Sequence, residues 1–292
     1  MNLTCIINPR AGYRGKPRTI AEAVHRVVEP LGWQVTTVLT QGPGQATELA
    51  REAVRQSELV VAAGGDGTIH EVAVALVGTQ AALGIIPCGS GNGLARALRV
   101  PTNMRKAVEL LPNGQRRAMD VGRMNEHYFF TTAGVGLDAE IAARFNAGHH
   151  SRGVLPYFRC GASAWLDYEP EPLILRIGSE RIEERPLVMA VANTDQYGAG
   201  AIIAPGALPD DGLLKVCCIR PVSFLRLVRL LPRLFIGTLD RSSCFRAVSV
   251  SQLTVERRQP GPVQIDGEPL TAGAKLEFSV LPKALQVLVP PK

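Results

Sequence analysis

Over roughly the first hundred residues, short apolar runs alternate with segments whose apolar positions recur every three and four residues. Leu3 to Ile7, Gln34 to Leu39, Leu59 to Ala63 and Leu83 to Pro87 read as strands. The segments after the first three place Ile20, Ala23, Val24, Val27 and Val28, then Ala46, Leu49, Ala50, Ala53 and Val54, then Ile69, Val72, Ala73 and Leu76 on helix faces. A further helix starts near Leu94. One βα unit repeated four times predicts an α/β domain with a parallel sheet, its turns gathered at the strand carboxyl ends.

From about Met119 the pattern changes to alternating or short apolar runs bounded by turns: His127 to Thr132, Leu173 to Ile177, Leu187 to Ala192, Leu213 to Ile219, Phe245 to Val255 and Lys275 to Leu281, with Ala284 to Val289 as a last strand. This predicts a second, mostly antiparallel domain, a β-sandwich over 119–282 behind an α/β domain over 1–118. One helical segment stands apart. Phe224, Leu225, Val228, Leu231 and Phe235 fall at helical spacing with Arg226, Arg229 and Arg233 on another side, and Pro232 is expected to interrupt it.

At 292 residues, 46% hydrophobic and 20% charged, the chain has ordinary globular usage and room for two cores. A net charge of +6 favours anionic partners. No zinc-ligand spacing, RNA-binding aromatic motif or Lys/Arg block accompanies it, so nucleic acid is not expected. The six cysteines form no Cys-x-x-Cys pair and sit mostly in apolar runs, as core residues of a reducing compartment. No signal-peptide start and no uninterrupted apolar run of about 18 residues is present, so a cytoplasmic protein that meets a membrane only from the side is expected.

The candidate chemistry lies in the turns. Gly64-Gly65-Asp66-Gly67-Thr68 joins a strand to a helix start, whose unpaired N–H groups suit a phosphate. A carboxylate there repels phosphates unless it holds a metal ion or takes a proton, so Asp66 points to phosphoryl transfer. Asn8-Pro9-Arg10-Ala11-Gly12-Tyr13-Arg14-Gly15-Lys16 is a basic glycine loop after the first strand. Thr40 ends the second, and Cys88-Gly89-Ser90-Gly91-Asn92 follows the fourth. Each could equally be a plain turn. Farther along, Asp138 and Glu140 alternate and would share one face of a strand. Leu208-Pro209-Asp210-Asp211-Gly212-Leu213 could offer oxygens to a hard cation or be a turn. Gln264-Ile265-Asp266-Gly267-Glu268 could bind metal, supply a base, or form a hairpin with solvated acids.

Taken in order, these motifs resemble the diacylglycerol kinase catalytic-domain and sphingosine kinase superfamily of lipid kinases. NAD kinases and phosphofructokinases, more distant, share the glycine–aspartate turn. The resemblance implies an NAD kinase/phosphofructokinase-like first domain to which 283–292 returns, with ATP held by Asn8, Pro9, Arg10, Gly12, Thr40, Gly64, Gly65, Asp66, Gly67, Thr68, Gly89, Ser90, Gly91 and Asn92. It implies a lipid-acceptor site at Asp138, Glu140 and Arg152, and a structural magnesium at Leu208, Asp211 and Leu213. Catalytic roles fall on Glu268 and Asp66, either of them as the base, and on Asp266, organising Mg²⁺ on ATP. Gly93 stands where many diacylglycerol kinases carry Asp. The expected activity is transfer of the γ-phosphoryl group of ATP to a lipid hydroxyl at a membrane surface, the lipid (diacylglycerol, sphingoid or related) and a homodimer being left open. A soluble acceptor, or a non-catalytic nucleotide or lipid sensor, is the alternative.

Overall fold

The computed structural model describes residues 1–12, 17–147 and 163–291. The chain forms two compact units, Met1–Val121 with Pro282–Lys292, and Gly122–Leu281.

In the first unit the strands are β1 (Asn2–Ile7), β2 (Gln34–Leu39), β3 (Leu59–Gly64) and β4 (Ala82–Pro87), in the order β2-β1-β3-β4 and all parallel. The helices are α1 (Pro17–Val28), α2 (Gln45–Ala53), α3 (Asp66–Leu76), the short α4 (Gly93–Ala97) and α5 (Met104–Asn113). Strands β3 and β4 are buried at every position, which explains why they read as unbroken apolar runs instead of alternating ones. Leu3, Cys5, Ile7, Val61 and Ile86 pack with Ile20 and Val24 of α1 and with Val108 and Leu111 of α5. Order reverses about β1: β2 lies on one side of it and β3 on the other, the place where α/β sheets open a crevice at their strand ends.

The second unit begins in β5 (Gln115–Met124), which the two units share, and continues through β6 (His127–Phe129), β7 (Thr132–Gly136), α6 (Leu137–Ala147), β8 (Leu173–Ile177), β9 (Glu180–Glu184), β10 (Val188–Ala192), β11 (Gln196–Gly198), β12 (Ala201–Ile202), β13 (Leu214–Ile219), α7 (Phe224–Ile236), β14 (Phe245–Val250), β15 (Gln252–Glu256), β16 (Gly261–Ile265), β17 (Glu268–Ala272) and β18 (Lys275–Val289). One antiparallel sheet runs β14-β13-β10-β7-β16-β17, and β15 pairs with β8 and with the start of β18. Alternate residues of both groups meet in one core, including Val135, Met189, Val216 and Val263 from the first and Leu175, Val255, Leu276 and Phe278 from the second. Phe129 meets Phe278 edge to face at 6.5 Å. The other face of the six-stranded sheet is also covered: Ala190, Ala192, Cys217 and Ile219 pack with Leu230 of α7. Burial pushes the thiols of Cys5, Cys217 and Cys218 up to about 12, which suits inert core residues. Cys160 lies outside the described residues.

Four sequence expectations change. Residues 137–147 form a helix, so Asp138 and Glu140 do not share a strand face; two positions apart on a helix they point to different sides. Phe245 to Val255 is two strands, with Val250 ending one pairing and Gln252 opening another. Lys275 to Val289 is one strand through Pro282, and α7 continues through Pro232.

Glycine matters most in the first unit where loops touch. Gly12 has φ +71, and a Cβ there would overlap the Cys88 carbonyl oxygen, whereas Gly44, at φ +81, has open space around it. Gly12→Ala is therefore expected to lower unfolding free energy by roughly 3 kcal/mol or more, and Gly44→Ala by about 1 kcal/mol, from backbone strain alone. Urea unfolding of both variants checks this; equal losses would contradict it.

Candidate active site

The carboxyl ends of β1, β2, β3 and β4 carry the loops that sequence reading singled out, and side chains borne on α3 tie three of them together. Asn8 donates from Nδ2 to the Thr68 hydroxyl at 2.9 Å, and its Oδ1 accepts the Arg10 N–H at 2.9 Å, so the first loop is fastened to the start of α3. Asp66, the first residue of α3, accepts the main-chain N–H of Asn92 at Oδ2 (2.8 Å) and of Gly93 at Oδ1 (2.7 Å). Its carboxylate thus sits on the N-terminus of α4. Asn92 takes φ +52 and closes its own loop, accepting from the Gly89 N–H at 3.1 Å and donating to the Gly89 carbonyl at 2.8 Å.

Glu71, five residues farther along α3, accepts the N–H groups of Gly44 (2.9 Å) and Ala46 (3.1 Å), which are the donors at the start of α2. Helix starts attract anions because their N–H groups lack partners and the helix dipole is positive there. The starts of α2 and α4 are therefore filled by the protein's own carboxylates. At the start of α3 the N–H groups of Asp66, Gly67 and Thr68 precede the first intrahelical bond (Ile69 N–H to Gly65) and have no acceptor among the described residues.

The glycines serve this packing. A Cβ on Gly64 would overlap the Thr68 side chain, one on Gly89 would lie 2.9 Å from the Gly65 Cα, and one on Gly91 2.7 Å from Asp66 Oδ2. Gly65 alone among these would make only an ordinary contact, at 3.7 Å. Ser90 is exposed at the loop tip, Pro9, Arg10 and Gly12 are exposed, and Thr40 is buried with its N–H on the Ile7 carbonyl. Asn8, Thr68, Gly64, Gly65, Asp66, Gly67, Gly89, Gly91 and Asn92 come together. Thr40 is held at the end of β2, beside an α2 start already capped. Tyr13, Arg14, Gly15 and Lys16 lie outside the described residues. This cradle of N–H donors with one carboxylate fits a polyphosphate.

In the second unit Asp266 and Gly267 form the two-residue turn of the β16–β17 hairpin with φ +49 and +87, a pairing of positive angles that Asp-Gly favours. Asp266 is not a solvated acid. Its carboxylate accepts the N–H groups of Phe130, Thr131 and Thr132 and the Thr131 hydroxyl, which locks the hairpin onto the start of β7. Oδ1 takes the Thr131 and Thr132 donors, and Oδ2 accepts the Phe130 N–H at 3.0 Å. Glu268, first in β17, is exposed. Arg257, 7% exposed, donates to the carbonyls of Gly261, Pro262, Ala272 and Gly273 and staples the other end of the same hairpin.

Asp138 is 5% exposed; Oδ2 accepts the Tyr197 hydroxyl while Oδ1 is buried with no hydrogen-bond partner among the described residues. Burial raises its pKa to about 6 against the lowering effect of Tyr197. Glu140 instead pairs with Arg144 at 2.7 Å, and Arg144 also meets Asp167. Arg152 lies outside the described residues. Asp211 closes a turn by accepting the Leu213 N–H at 3.0 Å, with Leu208 and Leu213 exposed at its ends. Among the described residues no group of three His, Cys, Asp or Glu is placed to hold a metal.

Sequence reasoning gave no role to Glu71, Arg257 or Tyr197. Glu71 stands inside the glycine–aspartate signature, five residues after Asp66 and so on a different side of the helix, toward the next loop. Arg257 and Tyr197 act on groups distant in sequence.

Residues 2–124 match the family model described as the diacylglycerol kinase catalytic domain, and residues 131–289 the one described as the YegS C-terminal NAD kinase beta sandwich-like domain. A Mycobacterium tuberculosis (strain ATCC 25618 / H37Rv) protein named diacylglycerol kinase is 32% identical over 303 residues, covering 99% of this chain and 95% of the relative. A Pseudomonas savastanoi pv. phaseolicola protein named probable lipid kinase YegS-like is 31% identical over 265 residues, 89% of this chain and 85% of the relative. A crystal structure titled as a diacylglycerol kinase from Bacillus anthracis str. Sterne superposes with a TM-score of 0.76 at 20% identity, covering 99% and 97% of the two chains, a likeness of fold.

Between an exposed aspartate's 3.8 and about 6, the folded state holds a proton on Asp138 that the unfolded chain releases, so this group makes stability fall as pH rises through that window. Removing the charge with Asp138→Asn is expected to abolish a decline of about 3 kcal/mol. Denaturant midpoints measured from pH 4 to 7 test it; parallel profiles for variant and wild type would contradict it.

Proposed function

The chain belongs to the lipid kinase family that carries the diacylglycerol kinase catalytic domain and the YegS-type β-sandwich, and on that premise we propose that it transfers the γ-phosphoryl group of ATP to the hydroxyl of a diacylglycerol-like lipid. The observation that carries the reading is the start of α3. Among the described residues its N–H groups have no acceptor, while Asp66 and Glu71 close the neighbouring helix starts. Phosphoryl transfer needs placement and charge stabilisation more than covalent chemistry, and oriented N–H donors on rigid loops provide both without reorganising during reaction. When bound, Mg²⁺ would neutralise charge on the β and γ oxygens.

The acids divide by what they already hold. Asp66 gives one acceptor direction on each oxygen to a main-chain N–H, so its first role is to shape the cradle. Asp266 is committed to the residues before β7 and fixes the hairpin turn. Glu268, exposed on that braced turn, is the proposed proton acceptor for the lipid hydroxyl. The Asp211 turn keeps Oδ2 clear of the Leu213 N–H, and with the Leu208 and Leu213 carbonyls it is a donor set of the hard-oxygen kind that Mg²⁺ takes. The diacylglycerol choice rests on the names of the relatives.

Purified protein given labelled ATP, Mg²⁺ and diacylglycerol in mixed micelles is expected to form phosphatidic acid, and Glu268→Gln to lower kcat by at least about a hundredfold with ATP affinity unchanged. Phosphorylation confined to soluble hydroxyl compounds would overturn the lipid acceptor, and full activity in Glu268→Gln would overturn the proton acceptor.

A further inference from the structure

Helix α7 buries one side and leaves a second apolar side uncovered. At about 100° per residue, Leu230, its fully buried residue, and the half-buried Leu227 and Leu234 share the side packed on the sandwich. Phe224, Val228, Phe235, Leu225 and Ile236 occupy a neighbouring arc that faces outward, with Leu225 70% and Ile236 71% exposed. Arg226, Arg229 and Arg233 form the next strip, and no acid occurs in the helix. Trp165 packs on the Phe224 ring at 5.2 Å, and its neighbour Leu166, 76% exposed, extends the apolar surface.

We propose that this face of α7, with Leu166, docks the protein on an anionic phospholipid surface, the helix lying flat in the headgroup layer. The proposal rests on the lipid-kinase reading for where the substrate resides, and on the helix itself for the surface. Uncovered large apolar side chains cost solvation in water and gain it at an acyl boundary, while a strip of arginines at their margin can reach phosphates with the stems kept in the apolar layer. At 13 residues the helix is about 20 Å long, which suits lying along an interface. Charge selects this occupant over a second copy of the chain: a two-fold contact would offer each arginine strip only the same acid-free helix, whereas anionic headgroups complement it. The nearby acids do not offset the strip, since Asp167 is held by Arg144 and Asp240 is followed by Arg241.

The test is cosedimentation of wild type and a Leu225→Glu/Ile236→Glu double variant with vesicles of phosphatidylcholine alone or mixed with phosphatidylglycerol, at low and physiological salt. Sedimentation velocity and circular dichroism are read on the same samples. Wild type is expected to bind mixed vesicles at least about tenfold more tightly than neutral ones, with loss at higher salt, and the double variant to lose at least about tenfold with unchanged helix content. A short-chain diacylglycerol, presented as monomers, should be phosphorylated equally by both. Binding of the variant within about twofold of wild type, no binding of either, or a wild-type dimer that the substitutions convert to monomer would each overturn the proposal. Vesicle binding through α7 without phosphorylation of any lipid would leave it standing and remove the kinase reading instead.

Discussion

The first unit depends on where the two acids of α3 are spent. Parallel α/β sheets gather helix starts at one edge, and every start presents N–H groups that need an acceptor. Here Asp66 and Glu71, five residues apart on one helix, close the starts of α4 and α2, and the helix that carries them has no acceptor at its own start among the described residues. Charge-assisted bonds of 2.7 to 2.8 Å between Asp66 and two consecutive main-chain N–H groups are stronger than neutral ones, so the loop after β4 is held where α3 puts it. Glycines at 64, 89 and 91 let the loops close to that distance. The arrangement also accounts for a carboxylate among so many helix starts: its charge is already offset by the donors it accepts.

The second unit uses the same physics for another end. Asp266 at a strained turn angle accepts four donors from residues 130–132, and Arg257 gives its guanidinium to four carbonyls at the opposite end of the hairpin. Braced at both ends, β16 and β17 hold Glu268 on a rigid support, which is what a positioned proton acceptor requires. Asp138 is the exception. It is buried with one oxygen unpartnered and keeps its proton well above the usual carboxylate range, so it stores a cost in the fold near neutral pH.

Much of this was legible in the chain itself. The four βα units follow from apolar periodicity, and the glycine turns fall where strands end, because both signals are local. What escaped was set by partners far along the chain. Asp138 and Glu140 read as alternating positions of a strand, but Leu137–Ala147 is a helix and Asp138 is buried. Phe245 to Val255 looks continuous, yet its halves pair with different strands. Pro282 and Pro232 look like breaks, yet each element runs through. The glycines of the turns are legible as turn residues, but what crowds Gly12, Gly64, Gly89 and Gly91 is other parts of the same unit: the Cys88 carbonyl, the Thr68 side chain, the Gly65 Cα and the Asp66 carboxylate.

The most direct test of the cradle is the MgATP affinity of Asp66→Asn measured by titration calorimetry. An amide there turns one acceptor into a donor facing a main-chain N–H, so the loop after β4 should come loose and ATP should bind at least about tenfold more weakly. Unchanged affinity with lost turnover would contradict the account, because Asp66 would then act on the reacting hydroxyl and not on the shape of the site.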